Sequence, residues 1–183
     1  MNKKFLWLSV LFGGLLFAVN LFIGAGLTYA TGNPSFDMLV IGFTTFFLLY
    51  VLVSMTKTFG AITIASTLYC ISAVPVVLMG PPGIYKILIG IVGGLVFDAI
   101  LYFFKYRFLA FLIGIIGYIV TSMAGVYLAY GLLDFDQFEK FRSYIVIVTC
   151  VYIVSALVST WLVRIVWEKR ISKLSLVKQF IKL

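Results

Sequence analysis

Apolar residues run through this chain in six long stretches, about Phe5–Thr28, Phe36–Met55, Phe59–Met79, Ile84–Phe104, Phe108–Leu133 and Tyr144–Val166. Each approaches or exceeds the roughly 20 residues with which an α-helix crosses the hydrocarbon core of a bilayer. Transmembrane β-strands would alternate apolar and polar residues, whereas these stretches are apolar all round. Breakers fall between them: Thr31-Gly32-Asn33-Pro34-Ser35, Lys57-Thr58-Phe59-Gly60, Gly80-Pro81-Pro82-Gly83, Lys105-Tyr106-Arg107 and the polar segment 134–142. The pattern predicts an all-α integral membrane protein with six transmembrane helices in a compact bundle, residues 1–166, and a tail, 167–183. In the tail Trp167, Ile171, Leu174, Val177 and Ile181 recur at helical steps among lysines and an arginine. That describes a basic amphipathic helix, suited to an anionic membrane surface or to a cytoplasmic partner. The first stretch has the charged start and the Thr28-Tyr29-Ala30 end of a secretory signal. Its apolar run is longer than the roughly 7–15 residues of a signal core, so it is read as a retained helix.

Composition strengthens the membrane reading. Hydrophobic residues make up 63% of the 183 and charged residues 11%, and the mean hydropathy is +1.18. Soluble domains carry about 25% charged residues, so these charges could not cover a water-facing surface. The distribution of cations sets the expected orientation. With the N-terminus inside, only Lys86, Lys140 and Arg142 of the 14 Lys and Arg lie outside. Both termini are then cytoplasmic, in a multi-pass protein of the cell membrane. Four of the six acids, Asp37, Asp134, Asp136 and Glu139, fall on the outer side. The net charge of +8 follows from this topology and gives no reason to invoke nucleic acid.

Composition also removes chemistry. The chain has no histidine, which excludes Ser-His-Asp triads and His-bearing zinc motifs. No close pair of acids lies inside a span. Cys70 and Cys150 sit in apolar runs and read as small buried hydrophobes. No enzyme, cofactor or metal site is expected.

A few residues depart from the apolar background. Gly14 and Ala18, Gly90 and Gly94, and Ala110 and Gly114 are small residues four apart. Such pairs let helix backbones approach, within one bundle or between two membrane subunits; the first helix is the better candidate for a subunit contact. Pro75 is expected to kink the third helix. After the Gly-Pro-Pro-Gly turn come Tyr85 and Lys86, an aromatic and a cation at the outer face. They fit a pocket mouth or an interfacial aromatic belt. Tyr29, Asn33, Tyr127, Tyr130 and Tyr144 bracket the first and fifth loops on the same side. Asn20 lies roughly 12 Å below the outer end of the first helix, where an amide needs a partner. Aromatic walls with few polar groups suit a small, flat ligand. Asp98 is the only acid well inside a span. It is open to three readings: an ion pair with Lys105 or Arg164, coupling to a partner, or a proton relay.

The run Lys57-Thr58-Phe59-Gly60-Ala61-Ile62-Thr63-Ile64, the Gly80-Pro81-Pro82 turn and the run Gly90-Ile91-Val92-Gly93-Gly94-Leu95-Val96-Phe97-Asp98 resemble the S components of energy-coupling factor transporters. The likeness is greatest to the S-component-like proteins of unassigned substrate. It covers nearly the whole chain in length, span number and orientation. The resemblance implies a subunit that captures a vitamin or related small organic micronutrient from outside. It also implies partners: a transmembrane T subunit and two cytoplasmic ATPases. In that family small residues on the first helix meet the T subunit, here Gly14 and Ala18, with glycine in place of the first alanine. The pocket is formed by helices 4 to 6 and outer loops 1, 3 and 5. The nickel and cobalt members carry a histidine-bearing N-terminal motif that this chain lacks, so the resemblance disfavours a metal substrate. The alternative is a self-contained secondary transporter or channel, which would need a charged relay or an inverted repeat.

Overall fold

The computed structural model describes residues 3–31, 34–76, 82–132 and 138–174. Among them the chain forms six α-helices and no strand: α1 (Lys3–Thr31), α2 (Pro34–Thr56), α3 (Ala61–Ala73), α4 (Tyr85–Phe103), α5 (Phe108–Leu132) and α6 (Phe138–Lys169). A 3-10 turn, Ile171–Lys173, follows α6. Five of the helices are long and apolar enough to cross a membrane. They are compatible with a multi-pass membrane protein. Large apolar side chains stand exposed around the bundle, among them Trp7, Leu11, Phe22, Leu88, Leu109, Leu128, Val146 and Trp161. Lipid is the solvent in which such a surface is stable.

The third helix departs from expectation. It is 13 residues long, about 20 Å at 1.5 Å per residue, too short to cross the hydrocarbon core alone. The apolar run predicted a span of Phe59–Met79, of which residues 77–79 lie outside the described residues. Pro75 also acts differently. It does not kink α3, because the helix ends at Ala73, two residues before it. Proline has no N–H to donate to the Ile71 carbonyl, which accepts instead from the Val74 amide at 3.2 Å. At the other end Gly60, at φ 94°, turns the chain into α3 in the left-handed region open to glycine. At α6 the helix passes through the expected 166/167 boundary to Lys169. The remainder of the tail, from residue 175, lies outside the described residues.

The helices pack as a closed ring. α1 touches α2 and α3, α3 touches α4, α4 touches α5, α5 touches α6, and α6 returns to α2. The core inside the ring is aromatic and aliphatic: Phe46, Phe97, Leu101, Ile115, Ile62 and Leu49 are each fully buried. Phe97 is its hub, with ring centroids 5.0 Å from Phe111, 6.0 Å from Tyr118 and 6.5 Å from Phe46. Gly114 is what admits it, since a Cβ there would strike the Phe97 ring. The seam between α2 and α6 is closed by hydroxyls. Ser155 donates to the Leu39 carbonyl and Ser159 to the Phe43 carbonyl at 2.6 Å.

The closest seam is α3 against α4. A Cβ on Gly90 would lie 2.8 Å from the Ser66 carbonyl oxygen, and one on Gly94 would lie 2.6 Å from Thr63 Cα. These small residues therefore serve packing within the chain. Two charged side chains of α4 hold the ends of α3. The Asp98 carboxylate accepts from the Thr63 amide at 2.8 Å, the Thr63 hydroxyl at 2.6 Å and the Ile62 amide at 3.4 Å. The Lys86 ammonium donates to the Ala73 carbonyl at 2.8 Å and the Val76 carbonyl at 3.1 Å. An acid thus sits at the positive end of the α3 dipole and a cation at the negative end. The twelve residues from Lys86 to Asp98 rise about 18 Å, which matches the length of α3. Asp98 is therefore a cap supplied from a neighbouring helix, not an ion-pair partner of Lys105 or Arg164. Among the described residues Arg164 pairs with Glu168, at 2.8 Å.

A candidate ligand cavity

Where α3 ends and α4 begins, the ring of helices encloses a cavity of about 220 Å³. Five helices wall it. α2 contributes Ile41, Thr45 and Phe46; α3 contributes Tyr69, Cys70 and Ala73; α4 contributes Tyr85, Lys86 and Ile89. α5 contributes Tyr118, Ile119, Ser122, Met123, Val126 and Tyr130, and α6 contributes Tyr152. Five tyrosines therefore face one space. Among the described residues no aspartate or glutamate lines it, and Lys86 is the one cation in its wall.

The α4 clamp fixes Lys86 in the wall. Only 6% of its surface is exposed, and the two carbonyls that it caps set the direction of its side chain. Those carbonyls belong to the end of α3 that Pro75 terminates. The proline, the short helix and the placement of the cation are thus one device.

Beside the cavity lies a polar cluster. Asn20, 1% exposed, donates from Nδ2 to Thr45 Oγ1 at 2.8 Å and accepts at Oδ1 from the Thr44 hydroxyl at 2.8 Å. Its side chain also bonds the Tyr69 hydroxyl. Asn20 is not itself in the wall; it orients Thr45 and Tyr69, which are. On α5 the Ser122 hydroxyl oxygen is buried and, among the described residues, has no hydrogen-bond partner. Gly93 makes room for it, since a Cβ there would come within 3.0 Å of that oxygen. A buried hydroxyl without a partner costs about 1–3 kcal/mol, and native structures keep few of them. Here the orphan belongs to a residue that lines a cavity.

Tyr85, Lys86 and Tyr130, singled out from the sequence, converge on this space. Tyr29 does not: it is 94% exposed, at the end of α1. Tyr127 is half-buried on α5 and outside the cavity wall. Asn33 lies outside the described residues, and the side chain of Tyr144 is likewise not described. Tyr69, Tyr118, Tyr152, Thr45, Ser122 and Cys70 were not anticipated as wall residues. Their one legible signal was a phenol or hydroxyl in the middle of an apolar span, where such a group needs a partner. Which of them share a cavity depends on helix rotation, which apolar runs with no polar face do not specify.

The cavity offers recognition more than reaction. It has aromatic faces for stacking, one fixed cation and hydroxyls. Among the described residues no cluster of Cys, Asp or Glu could hold a metal ion. No family model matches this chain, and neither a curated protein nor a solved structure does.

Proposed function

We propose that this protein captures a small, mostly flat organic molecule from outside the cell. It would act as the substrate-binding membrane subunit of an energy-coupling factor type uptake transporter. The observation that carries the proposal is the cavity itself, walled among the described residues by five tyrosines and one buried cation, with no acid. Offset or edge-to-face contact with tyrosine faces favours a planar ligand. The Lys86 ammonium favours a carboxylate, phosphate or strongly polar acceptor on it. About 220 Å³ is below the usual 300–1,000 Å³ of drug-sized sites, which points to a molecule of one or two rings. In this reading the chain is not an enzyme. It hands its ligand to a T subunit whose two ATPases supply the energy, and both of its termini are cytoplasmic. Gly14 supports a subunit contact: a Cβ there would meet nothing within 4 Å. It lies on an exposed face of α1 with Trp7, Leu11 and Phe22.

Ser122→Ala is the incisive variant. Among the described residues its hydroxyl has no partner, so the fold should lose nothing and Tm should hold or rise slightly. If the ligand uses that hydroxyl, affinity falls by about 2–12-fold, the range of one hydrogen bond. Mass spectrometry of small molecules retained by the purified protein identifies the ligand, and titration of that ligand measures the change. If the purified protein retains no small molecule, and Ser122→Ala and Tyr118→Ala alter no binding of candidate micronutrients, the capture proposal fails.

A further inference from the structure

At the opposite end of the bundle, a second cavity of about 310 Å³ opens between the end of α2, the α4–α5 turn and the end of α6. Its wall is mixed: Ser54, Lys57, Tyr106, Arg107 and Glu168 stand among apolar residues such as Phe108. We propose that it binds the phosphate headgroup of an anionic phospholipid, with Lys57 and Arg107 as the paired cations.

Three independent features carry this. The first is charge. The Glu168 carboxylate is occupied by Arg164 at 2.8 Å, and Arg164 also lies 4.3 Å over the Phe108 ring. Among the described residues the side chains of Lys57 and Arg107 have no such partner, so the cavity presents two unmatched positive charges. The N-terminus of α5, which has no acid in its first turn, adds the positive end of a helix dipole at Phe108.

The second is depth. Phe59, Tyr102, Phe103 and Phe104 stand exposed around this end, and the Tyr102 ring packs edge-on against Phe59 at 5.8 Å. Exposed aromatics gather at the level of lipid headgroups, so the cavity opens where phosphates are. Burial, with a lesser contribution from Asp98, pushes the Tyr106 hydroxyl up to about 12, so it stays a hydrogen-bond donor. Basic pockets between helices at this level are suited to anionic headgroups.

The third is backbone. Lys57 follows α2 at φ 46°, with its amide bonded to the Val53 carbonyl at 2.9 Å. Glycine is the residue that holds this left-handed position without strain. The position instead carries a long cation that lines the cavity.

The test uses the full purified chain. Native mass spectrometry from micelles doped with phosphatidylglycerol or phosphatidylcholine measures bound lipid. The wild type should retain phosphatidylglycerol in clear preference. Lys57→Gly should weaken that retention roughly fivefold, the factor for one basic side chain near an anionic surface, while raising Tm by a few degrees. A more stable protein that binds less lipid has not lost it by unfolding. Arg107→Gln, at an exposed side chain, should weaken retention by a similar factor. Lys169→Gln, in the basic tail outside this cavity, should change it little. Equal retention of the two lipids, or unchanged retention in the Lys57→Gly/Arg107→Gln double variant, overturns the site. So does an equal loss in Lys169→Gln, which would mark a diffuse effect of surface charge. If free glycerol phosphate displaces the lipid at equal concentration, the lipid is overturned as the occupant in favour of a soluble phosphate compound.

Discussion

Replacing Asp98 tests whether the bundle depends on the α4 clamp. In Asp98→Ala the amides of Ile62 and Thr63 and the hydroxyl of Thr63 lose their acceptor. The hydroxyl can rotate toward another acceptor, but the amides are fixed by the first turn of α3. The Asp98 site is fully buried, so water does not readily replace the carboxylate. Each stranded amide costs about 1–3 kcal/mol, and loss of the negative charge at the dipole adds about 0.3–1 kcal/mol. The expected destabilisation is therefore roughly 3–5 kcal/mol, counting the 3.4 Å bond to Ile62 as the weaker one. At about 2–4 °C per kcal/mol for a chain of this size, Tm falls by roughly 6–20 °C. Asp98→Asn should be milder. Its amide oxygen can keep both Thr63 bonds and only the Ile62 amide meets an unfavourable NH₂, a cost of about 1–2 kcal/mol. Combining Asp98→Ala with Thr63→Val should cost less than the sum of the two, because both remove the same bond. Thermal unfolding of the wild type and the four variants, the double variant included, in detergent measures all of this. If both Asp98 variants melt within about 2 °C of wild type, the carboxylate does not hold α3. If the proposed uptake nonetheless disappears in them, Asp98 acts in coupling.

Gly13 and Gly14 are adjacent in sequence yet should respond oppositely to bulk. A Cβ at Gly13 would lie 2.8 Å from the Ala65 carbonyl oxygen and 2.9 Å from Leu68 Cβ, so Gly13→Leu should lower Tm by many degrees or prevent folding. Gly14→Leu should leave Tm unchanged and, if α1 meets a T subunit, weaken co-purification of that subunit with its ATPases; unaltered capture would remove Gly14 from the interface. For topology, cysteines introduced at positions 33 and 137 should react with an impermeant reagent from outside and one at 175 should not, as the Lys/Arg asymmetry requires. The reverse pattern would invert the orientation and place the tyrosine-lined cavity on the cytoplasmic side.

Much of the architecture was legible in the chain because a bilayer imposes a simple code. Lipid exposes every backbone group to a solvent that cannot bond it, so length and hydropathy alone identify helices. Five of the six expected spans correspond to helices of crossing length, and the cationic turns at Lys57 and Lys105–Arg107 fall between helices as read. The cavity was only partly legible. Tyr85, Lys86 and Tyr130 stand beside a loop and announce themselves by position; Tyr69, Tyr118 and Tyr152 lie mid-span. A helix that is apolar all round carries no stripe to fix its rotation, so the inward residues are chosen by packing. Glycines at 90, 94 and 114 made that choice by letting α3, α4 and α5 approach, and their spacing alone did not say which partner they would meet. That there would be helices, where they would roughly end and how few charges they would carry was readable from the residues alone. Tertiary structure decided what those charges do. Asp98 and Lys86 are separated by the length of a helix that neither belongs to, and their role as its two caps exists only once α3 lies against α4.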